Sequence, residues 1–152
     1  MEKAEEELLA YAKTLERQRF TSKEVFQYLL LEFCGTPYVW GKATTEQSDC
    51  SGTICACLNA LYRTQRRVNA DTLYRTCFTR TPVRYEGIQA LFFLDNTGRA
   101  VHVSGYAGNG DYLNESAKET NKCGTLRTEA ELVAKYFWLT PVRRVLNMEA
   151  WR

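Results

Sequence analysis

Apolar residues recur at helical spacing along the first part of the chain. Positions such as Leu8 and Leu15 share one face of a predicted helix over residues 2–19, because residues three or four apart lie on the same side of a helix. Thr21-Ser22-Lys23-Glu24 forms a capping box that starts a second helix, which ends near Cys34-Gly35. The pattern therefore predicts two N-terminal helices that pack through their apolar faces.

A third helical pattern follows Asp49, a residue that suits the position capping a helix N-terminus. From Cys50 to Tyr62 the apolar side chains again recur every three or four residues. Residues 63–80 are polar and mixed, and they predict a loop with a short helix over 70–75. The sequence thus places Cys50 in the first turn of a helix with a buried face.

The second half of the chain favours strands, which alternate apolar and polar residues with a period of two. Three segments are predicted strands: 89–94, 101–107 and 111–115. Turn signals separate them at Asn96-Thr97-Gly98 and Gly108-Asn109-Gly110. A helix over 129–136 and a closing strand over 142–146 are predicted next. Helices followed by an antiparallel sheet indicate the α+β class.

Size and charge exclude several classes of protein. A chain of 152 residues with 45% hydrophobic residues predicts a single domain over residues 1–152. The 20 basic and 18 acidic residues nearly cancel and form no stripe of like charge, so no nucleic-acid partner is expected. No stretch is apolar enough to insert into a membrane, and the N-terminus lacks the features of a secretory signal peptide.

The chain has six cysteines and a single histidine, His102. Mostly free thiols are expected, and the spacing predicts no metal site because C-x-x-C is absent. Imidazole is the usual base for a thiol, so His102 is the one candidate for that role. Cys50 is the candidate nucleophile, since the N-terminus of a helix favours the thiolate through its dipole and its unpaired N–H groups.

The predicted hairpin decides whether a third residue orients His102. If Gly108-Asn109-Gly110 is a three-residue loop, Asn114 lies on the same face as the imidazole. Two pairs then face each other: Tyr106 with Tyr112, and Ser104 with Asn114. The Asn114 carboxamide could accept from one ring nitrogen and leave the other for the thiol. With a two-residue Asn109-Gly110 loop the parity reverses, and Asn114 points away.

These residues resemble the NlpC-type cell-wall peptidases, which are compact papain-like cysteine hydrolases. The resemblance covers residues 35–116 and rests on the order and spacing of five motifs. They are Gly35-Thr36-Pro37-Tyr38-Val39-Trp40-Gly41, Asp49-Cys50-Ser51-Gly52, Arg67-Val68-Asn69-Ala70, Leu91-Phe92-Phe93, and His102-Val103 through Gly108-Asn109-Gly110 to Asn114.

The resemblance implies a papain-like α+β fold in which N-terminal helices, with the nucleophile at a helix start, pack on an antiparallel sheet. It implies Cys50 as the nucleophile, His102 as the base and Asn114 as the residue that orients the base. It also implies substrate-binding roles for four further residues: Tyr38, Asp49, Ser51 and Asn69.

The implied activity is hydrolysis of an amide bond in peptidoglycan stem peptides, in the family typically the bond between D-γ-glutamate and the following diamino acid. No cofactor is required. Two alternatives remain open. One is a catalytically silent module on the same fold that binds a peptide or a protein partner, and the other is a thiol acyltransferase.

The missing signal peptide bears on where such an enzyme works. A protein made in the cytoplasm could reach the wall as a phage lysin after lysis, or as an effector carried by a contractile secretion apparatus. It could also trim recycled wall peptides inside the cell. If the protein is a secreted toxin, a cognate immunity protein that plugs the Cys50 cleft is expected.

Overall fold

Two helices open the chain, as predicted. The computed structural model describes residues 2–84 and 86–152, so Met1 of the predicted domain lies outside the described residues. Helix α1 (Lys3–Arg17) and helix α2 (Ser22–Leu31) end slightly earlier than expected. The capping box of α2 is present in both directions, because the Thr21 side chain accepts from the Glu24 N–H and the Glu24 carboxylate accepts from the Thr21 N–H.

The third helix, α3 (Cys50–Tyr62), starts at the predicted residue. The side chain of Asp49 caps it by accepting from the N–H of Gly52. The short helix predicted over 70–75 is helix α4 (Ala70–Thr72), which continues into a π-helical turn over Leu73–Cys77. Among the described residues, no helix has the length and apolar character needed to cross a bilayer.

Five antiparallel strands form one sheet in the order β4-β3-β2-β1-β5. Their bounds are β1 (Gln89–Leu94), β2 (Ala100–Gly108), β3 (Asp111–Asn114), β4 (Thr125–Thr128) and β5 (Thr140–Val145). A 3₁₀ turn (Thr120–Lys122) precedes β4, helix α5 (Glu129–Lys135) follows it, and helix α6 (Met148–Trp151) ends the chain. Strand β4 and helix α6 were not predicted, because both are four residues long and β4 has one apolar side chain, Leu126.

The β2–β3 hairpin has the predicted pairing but a different loop. Tyr106 pairs with Tyr112, as expected. The loop is the two-residue turn Asn109-Gly110, in which both residues have positive φ as a type I′ turn requires. A β-bulge between Tyr106 and Gly108 adds one residue to β2 and restores the parity that this turn alone would reverse. Of the two loops considered from the sequence, the two-residue loop is present, yet the Tyr106–Tyr112 pairing expected for the three-residue loop is confirmed.

The sheet lies between two hydrophobic clusters. Helices α2 and α3 cover one face, where Phe92 and Val103 belong to the larger cluster. Residues from α5 and its C-terminal end cover the other face, where Leu132 and Tyr136 join the smaller cluster. Because side chains alternate along a strand, His102 of β2 lies on the face that α5 covers.

The start of α3 lies against a close-packed loop. A Cβ atom at Gly52 would lie 2.1 Å from the backbone carbonyl oxygen of Lys42 and 3.1 Å from the Cα of Ala43. The loop is held there because the N–H of Asp49 donates to that same carbonyl over 2.9 Å. Only glycine therefore fits in this turn, although its backbone is ordinary helix.

We expect Gly52→Ala to lower the free energy of unfolding by about 1–3 kcal/mol, because the Lys42 loop would have to move. In an unobstructed helix the same change would instead stabilise by up to about 1 kcal/mol. Urea unfolding of the wild type and the variant measures the difference, and Ala56→Gly in the same helix calibrates the propensity effect. A Gly52→Ala protein as stable as the wild type would contradict the close approach.

Candidate active site

The thiol of Cys50 lies against the edge of strand β2. Cys50 is half-buried, and the backbone N–H groups of Val103 and Ser51 lie close enough to its sulfur to favour the thiolate. Strand β2 pairs with β3 only from Gly105 onward, so Val103 has no partner in β3 and its N–H is available to the thiol. Because Val103 follows His102 directly, the nucleophile predicted from the sequence lies beside the strand segment that carries the predicted base.

The imidazole of His102 is buried and held from several sides. Its Nε2 lies 2.6 Å from Oδ1 of Asn114, and the same oxygen accepts a 2.7 Å hydrogen bond from the hydroxyl of Ser104. The ring also contacts two aromatic rings, with centroid distances of 4.5 Å to Tyr136 and 5.7 Å to Phe93. The structure therefore brings His102 and Asn114 together in the predicted way.

A buried carboxylate holds the other end of Asn114. The Asn114 Nδ2 donates to Glu119 over 2.6 Å and to the Tyr136 hydroxyl over 3.2 Å. Glu119 forms ion pairs with Arg127 at 2.8 Å and Lys135 at 3.6 Å. Burial raises the pKa of Glu119, but the hydrogen bonds from Arg127 and Asn114 outweigh it, so this pKa lies below its ordinary value.

Burial keeps both members of the thiol–imidazole pair neutral. It raises the pKa of the Cys50 thiol to about 11, although the N–H groups of Val103 and Ser51 act in the opposite direction. Burial also lowers the pKa of His102 to about 4, against the hydrogen bond to Asn114 and the charge of Glu119. The helix start favours the thiolate, as expected, but desolvation is the larger effect. At neutral pH the resting site holds a protonated thiol and a neutral imidazole.

Asp49 and Ser51 form a cluster with an arginine beside Cys50. The Asp49 carboxylate accepts two hydrogen bonds from Arg67, at 2.7 and 2.8 Å, and one each from the N–H groups of Gly41 and Gly52 at 2.7 Å. The Ser51 hydroxyl accepts from Arg67 over 3.1 Å. Arg67 belongs to the motif Arg67-Val68-Asn69-Ala70, but no role was predicted for it from the sequence.

The remaining predicted residues, Tyr38 and Asn69, differ in their surroundings. Burial and the nearby Cys50 and Asp49 raise the pKa of Tyr38 to about 12, so its hydroxyl stays protonated and can donate a hydrogen bond. Asn69 is exposed, and its side chain caps helix α4 by accepting from the N–H of Thr72 over 2.8 Å. A substrate-binding role for Asn69 stays a prediction.

Four residues at this site were not predicted from the sequence: Arg67, Ser104, Glu119 and Tyr136. Ser104 could have been found, because the predicted pairing already placed it opposite Asn114. Glu119 and Tyr136 reach the site from a turn and from the end of α5, and no local pattern marks them. Within residues 2–84 and 86–152, no group of three or more histidine, cysteine or acidic side chains could hold a metal ion.

Glu115 is a buried carboxyl group with an unusual environment. It is 1% exposed, and neither of its side-chain oxygens has a hydrogen-bond partner. Burial raises its pKa to about 8, and the charge of Asp49 adds to that effect. Glu115 is therefore mostly protonated at neutral pH, whereas in the unfolded chain it is ionised.

We expect Glu115→Gln to stabilise the protein increasingly as the pH rises from 5 to 8.5. The native pKa of Glu115 lies above the unfolded one, so over this range its ionisation destabilises the wild type relative to the uncharged variant. The difference in free energy of unfolding should grow by about 3–4 kcal/mol between pH 5 and 8.5. Urea unfolding at several pH values measures it. A difference that does not change with pH would contradict the buried, unpaired carboxyl group.

The sequence profile of the NlpC/P60 family matches residues 35–140, more than two thirds of the chain. No curated protein sequence matches this chain significantly. Among solved structures, NlpC1 of Trichomonas vaginalis is similar over 81% of this chain and 43% of its own, with a TM-score of 0.59 and 19% identity. An NLP/P60 family protein of Staphylococcus aureus, described as similar to a lipoprotein, is similar over 82% of this chain and 41% of its own, with a TM-score of 0.59 and 20% identity.

The peptidoglycan hydrolase RipB of Mycobacterium tuberculosis is similar over 89% of this chain and 66% of its own, with a TM-score of 0.57 and 20% identity. At these identities the likeness shows the fold, and it confirms the predicted papain-like α+β class. The chain spans less than half of the Trichomonas and Staphylococcus proteins and 66% of RipB.

Proposed function

The chain belongs to the NlpC/P60 family, and on that premise we propose that it is a cysteine peptidase that hydrolyses peptidoglycan. The observation that carries this proposal is the position of the Cys50 thiol against the N–H of Val103, the residue that directly follows the Asn114-bonded His102. The structural neighbour RipB is described as a peptidoglycan hydrolase, which supports peptidoglycan as the substrate class. We propose that residues 1–152 act as one catalytic domain without a cofactor.

The proposed reaction cleaves an amide bond in a stem peptide, the bond between D-γ-glutamate and the following diamino acid. Because the resting pair is neutral, the thiol proton passes to His102 as the sulfur attacks the carbonyl carbon. The histidine then gives this proton to the leaving amine, and a thioester forms. Water, deprotonated by the same imidazole, hydrolyses the thioester and regenerates the thiol.

Two groups could stabilise the oxyanion of the tetrahedral intermediate. One is the backbone N–H of Cys50 in the first turn of α3, and the other is the Tyr38 hydroxyl, which stays protonated. A donor of this kind contributes about 3 kcal/mol to the lowering of the barrier. The half-buried position of Tyr38 near Cys50 supports its part in this role.

The substrate's free amino end or backbone is proposed to bind at Tyr38, Asp49 and Ser51. Arg67 supports this arrangement, because it holds the Asp49 carboxylate through two hydrogen bonds and also donates to Ser51. If the enzyme is a secreted toxin, a cognate immunity protein is proposed to cover this region.

A second candidate function is a catalytically silent module that binds a peptide on the same fold. The specific observation in its favour is the pKa of the Cys50 thiol, which burial raises to about 11. A thiol of this kind is less reactive at rest than the thiolate of an activated cysteine. Activity measurements on the Cys50 variant separate the two functions.

We expect purified protein to cleave muropeptides, and Cys50→Ala to lower the rate at least about 10³-fold because no acyl-enzyme can form. Mass spectrometry of the products identifies the bond. Cys34→Ser is the matched control, since Cys34 is an exposed thiol and its loss should leave the rate unchanged. Identical product traces from the wild type and Cys50→Ala on every stem-peptide type would contradict the proposal and favour the binding module.

A further inference from the structure

We propose that Glu119 is a positioning residue that sets the tautomer of His102 by fixing the orientation of the Asn114 amide. The inference rests on the proposed function, because it concerns the base of that reaction. It extends the site beyond the three residues expected from the sequence, to a carboxylate on the far side of Asn114 from the imidazole.

Glu119 faces the NH₂ end of Asn114. The Glu119 side chain has no exposure to solvent and lies between Arg127 and Lys135, so it is ionised and can only accept hydrogen bonds. The group of Asn114 that meets it at 2.6 Å must therefore be the NH₂ group. The amide oxygen is consequently turned toward His102 and Ser104.

The orientation of Asn114 determines which ring nitrogen of His102 carries the proton. The Asn114 oxygen is an acceptor, so His102 must donate to it through Nε2–H across the 2.6 Å contact. A neutral imidazole carries a single N–H, and Nδ1 is therefore left with a lone pair. Since Asn114 occupies Nε2, Nδ1 is the ring nitrogen left to take the proton of the Cys50 thiol, and only that tautomer leaves Nδ1 unprotonated. Glu119 thus determines which nitrogen is the base, although it does not contact the ring.

Other groups near Asn114 cannot set this orientation. The Tyr136 hydroxyl can accept or donate, so its 3.2 Å contact with Asn114 fits either position of the amide. Ser104 is also a hydroxyl and is equally permissive. Glu119 is the one charged group that hydrogen-bonds to Asn114 among the described residues, and Arg127 and Lys135 are the charged groups that hold it.

The substitution Glu119→Gln should reverse the orientation of the Asn114 amide and the tautomer of His102. A glutamine at this position would turn its oxygen toward the Arg127 guanidinium and its NH₂ group toward Asn114, because a guanidinium can only donate. Asn114 would then rotate to present its oxygen to the glutamine and its NH₂ group to Nε2. The imidazole would have to accept at Nε2 and carry its proton on Nδ1, where it blocks proton transfer from the thiol.

Nitrogen NMR of the imidazole tests the proposal without any substrate. The chain has one histidine, so ¹⁵N labelling gives two ring-nitrogen signals that belong to His102 alone. At pH 7 the wild type should show the proton on Nε2, and Glu119→Gln should move it to Nδ1. Glu131→Gln is the matched control, because Glu131 is also paired with Arg127 but is half exposed and does not touch Asn114. It should leave the proton on Nε2.

Kinetics on muropeptides supply a second readout. Glu119→Gln should lower kcat by about 10²- to 10⁴-fold with little change in KM, as expected for a histidine in the wrong tautomer. Glu131→Gln should remain within about threefold of the wild type, because an exposed ion pair contributes little.

A wild-type imidazole protonated on Nδ1 would overturn the proposal, and this result does not depend on whether any variant folds. A folded Glu119→Gln protein with its proton still on Nε2 would overturn it as well. If the tautomer changes as expected but the wild type cleaves no stem peptide, Glu119 keeps its positioning role and the proposed function fails instead.

Discussion

The hydrogen bond between Nε2 of His102 and Oδ1 of Asn114 is the interaction on which the site depends. It forms because strands β2 and β3 present the two side chains on the same face, and that alignment depends on the hairpin register. A type I′ turn by itself would place Asn114 on the opposite face, under the helices. The bulge before Gly108 compensates by one residue, so a local irregularity in β2 is what gives the imidazole its partner.

The two groups of the proposed catalytic pair, the Cys50 thiol and the His102 imidazole, reach the sheet from opposite sides. The thiol belongs to α3, which packs on one face, while the imidazole lies on the face covered by α5. The thiol meets the edge of β2 at Val103, directly after His102 in the chain, because β3 pairs only from Gly105 onward and leaves Val103 open. Burial at this place strengthens the hydrogen bonds that hold His102, but it also keeps thiol and imidazole neutral until a substrate arrives.

Local patterns in the sequence were enough to predict helices α1 to α5, the hairpin pairing and the position of Cys50. Each of these depends on neighbours a few residues apart, such as the Asp49 cap or the spacing across the turn. The bulge was not predicted, because nothing in the order of residues distinguishes a three-residue loop from a two-residue loop with a bulge. Glu119 and Tyr136 were also out of reach, since their contacts with Asn114 depend on how the segment after β3 folds back.

The most direct test of the account is a chemical cross-link between Cys50 and His102. Dibromoacetone is a short bifunctional reagent: a thiol displaces one bromide, and a ring nitrogen within reach displaces the other. The account predicts that treatment at mildly alkaline pH joins Cys50 to Nδ1 of His102, which peptide mapping by mass spectrometry can identify because the chain has one histidine. Attachment to Cys50 with His102 left unmodified, or a link through Nε2, would contradict it.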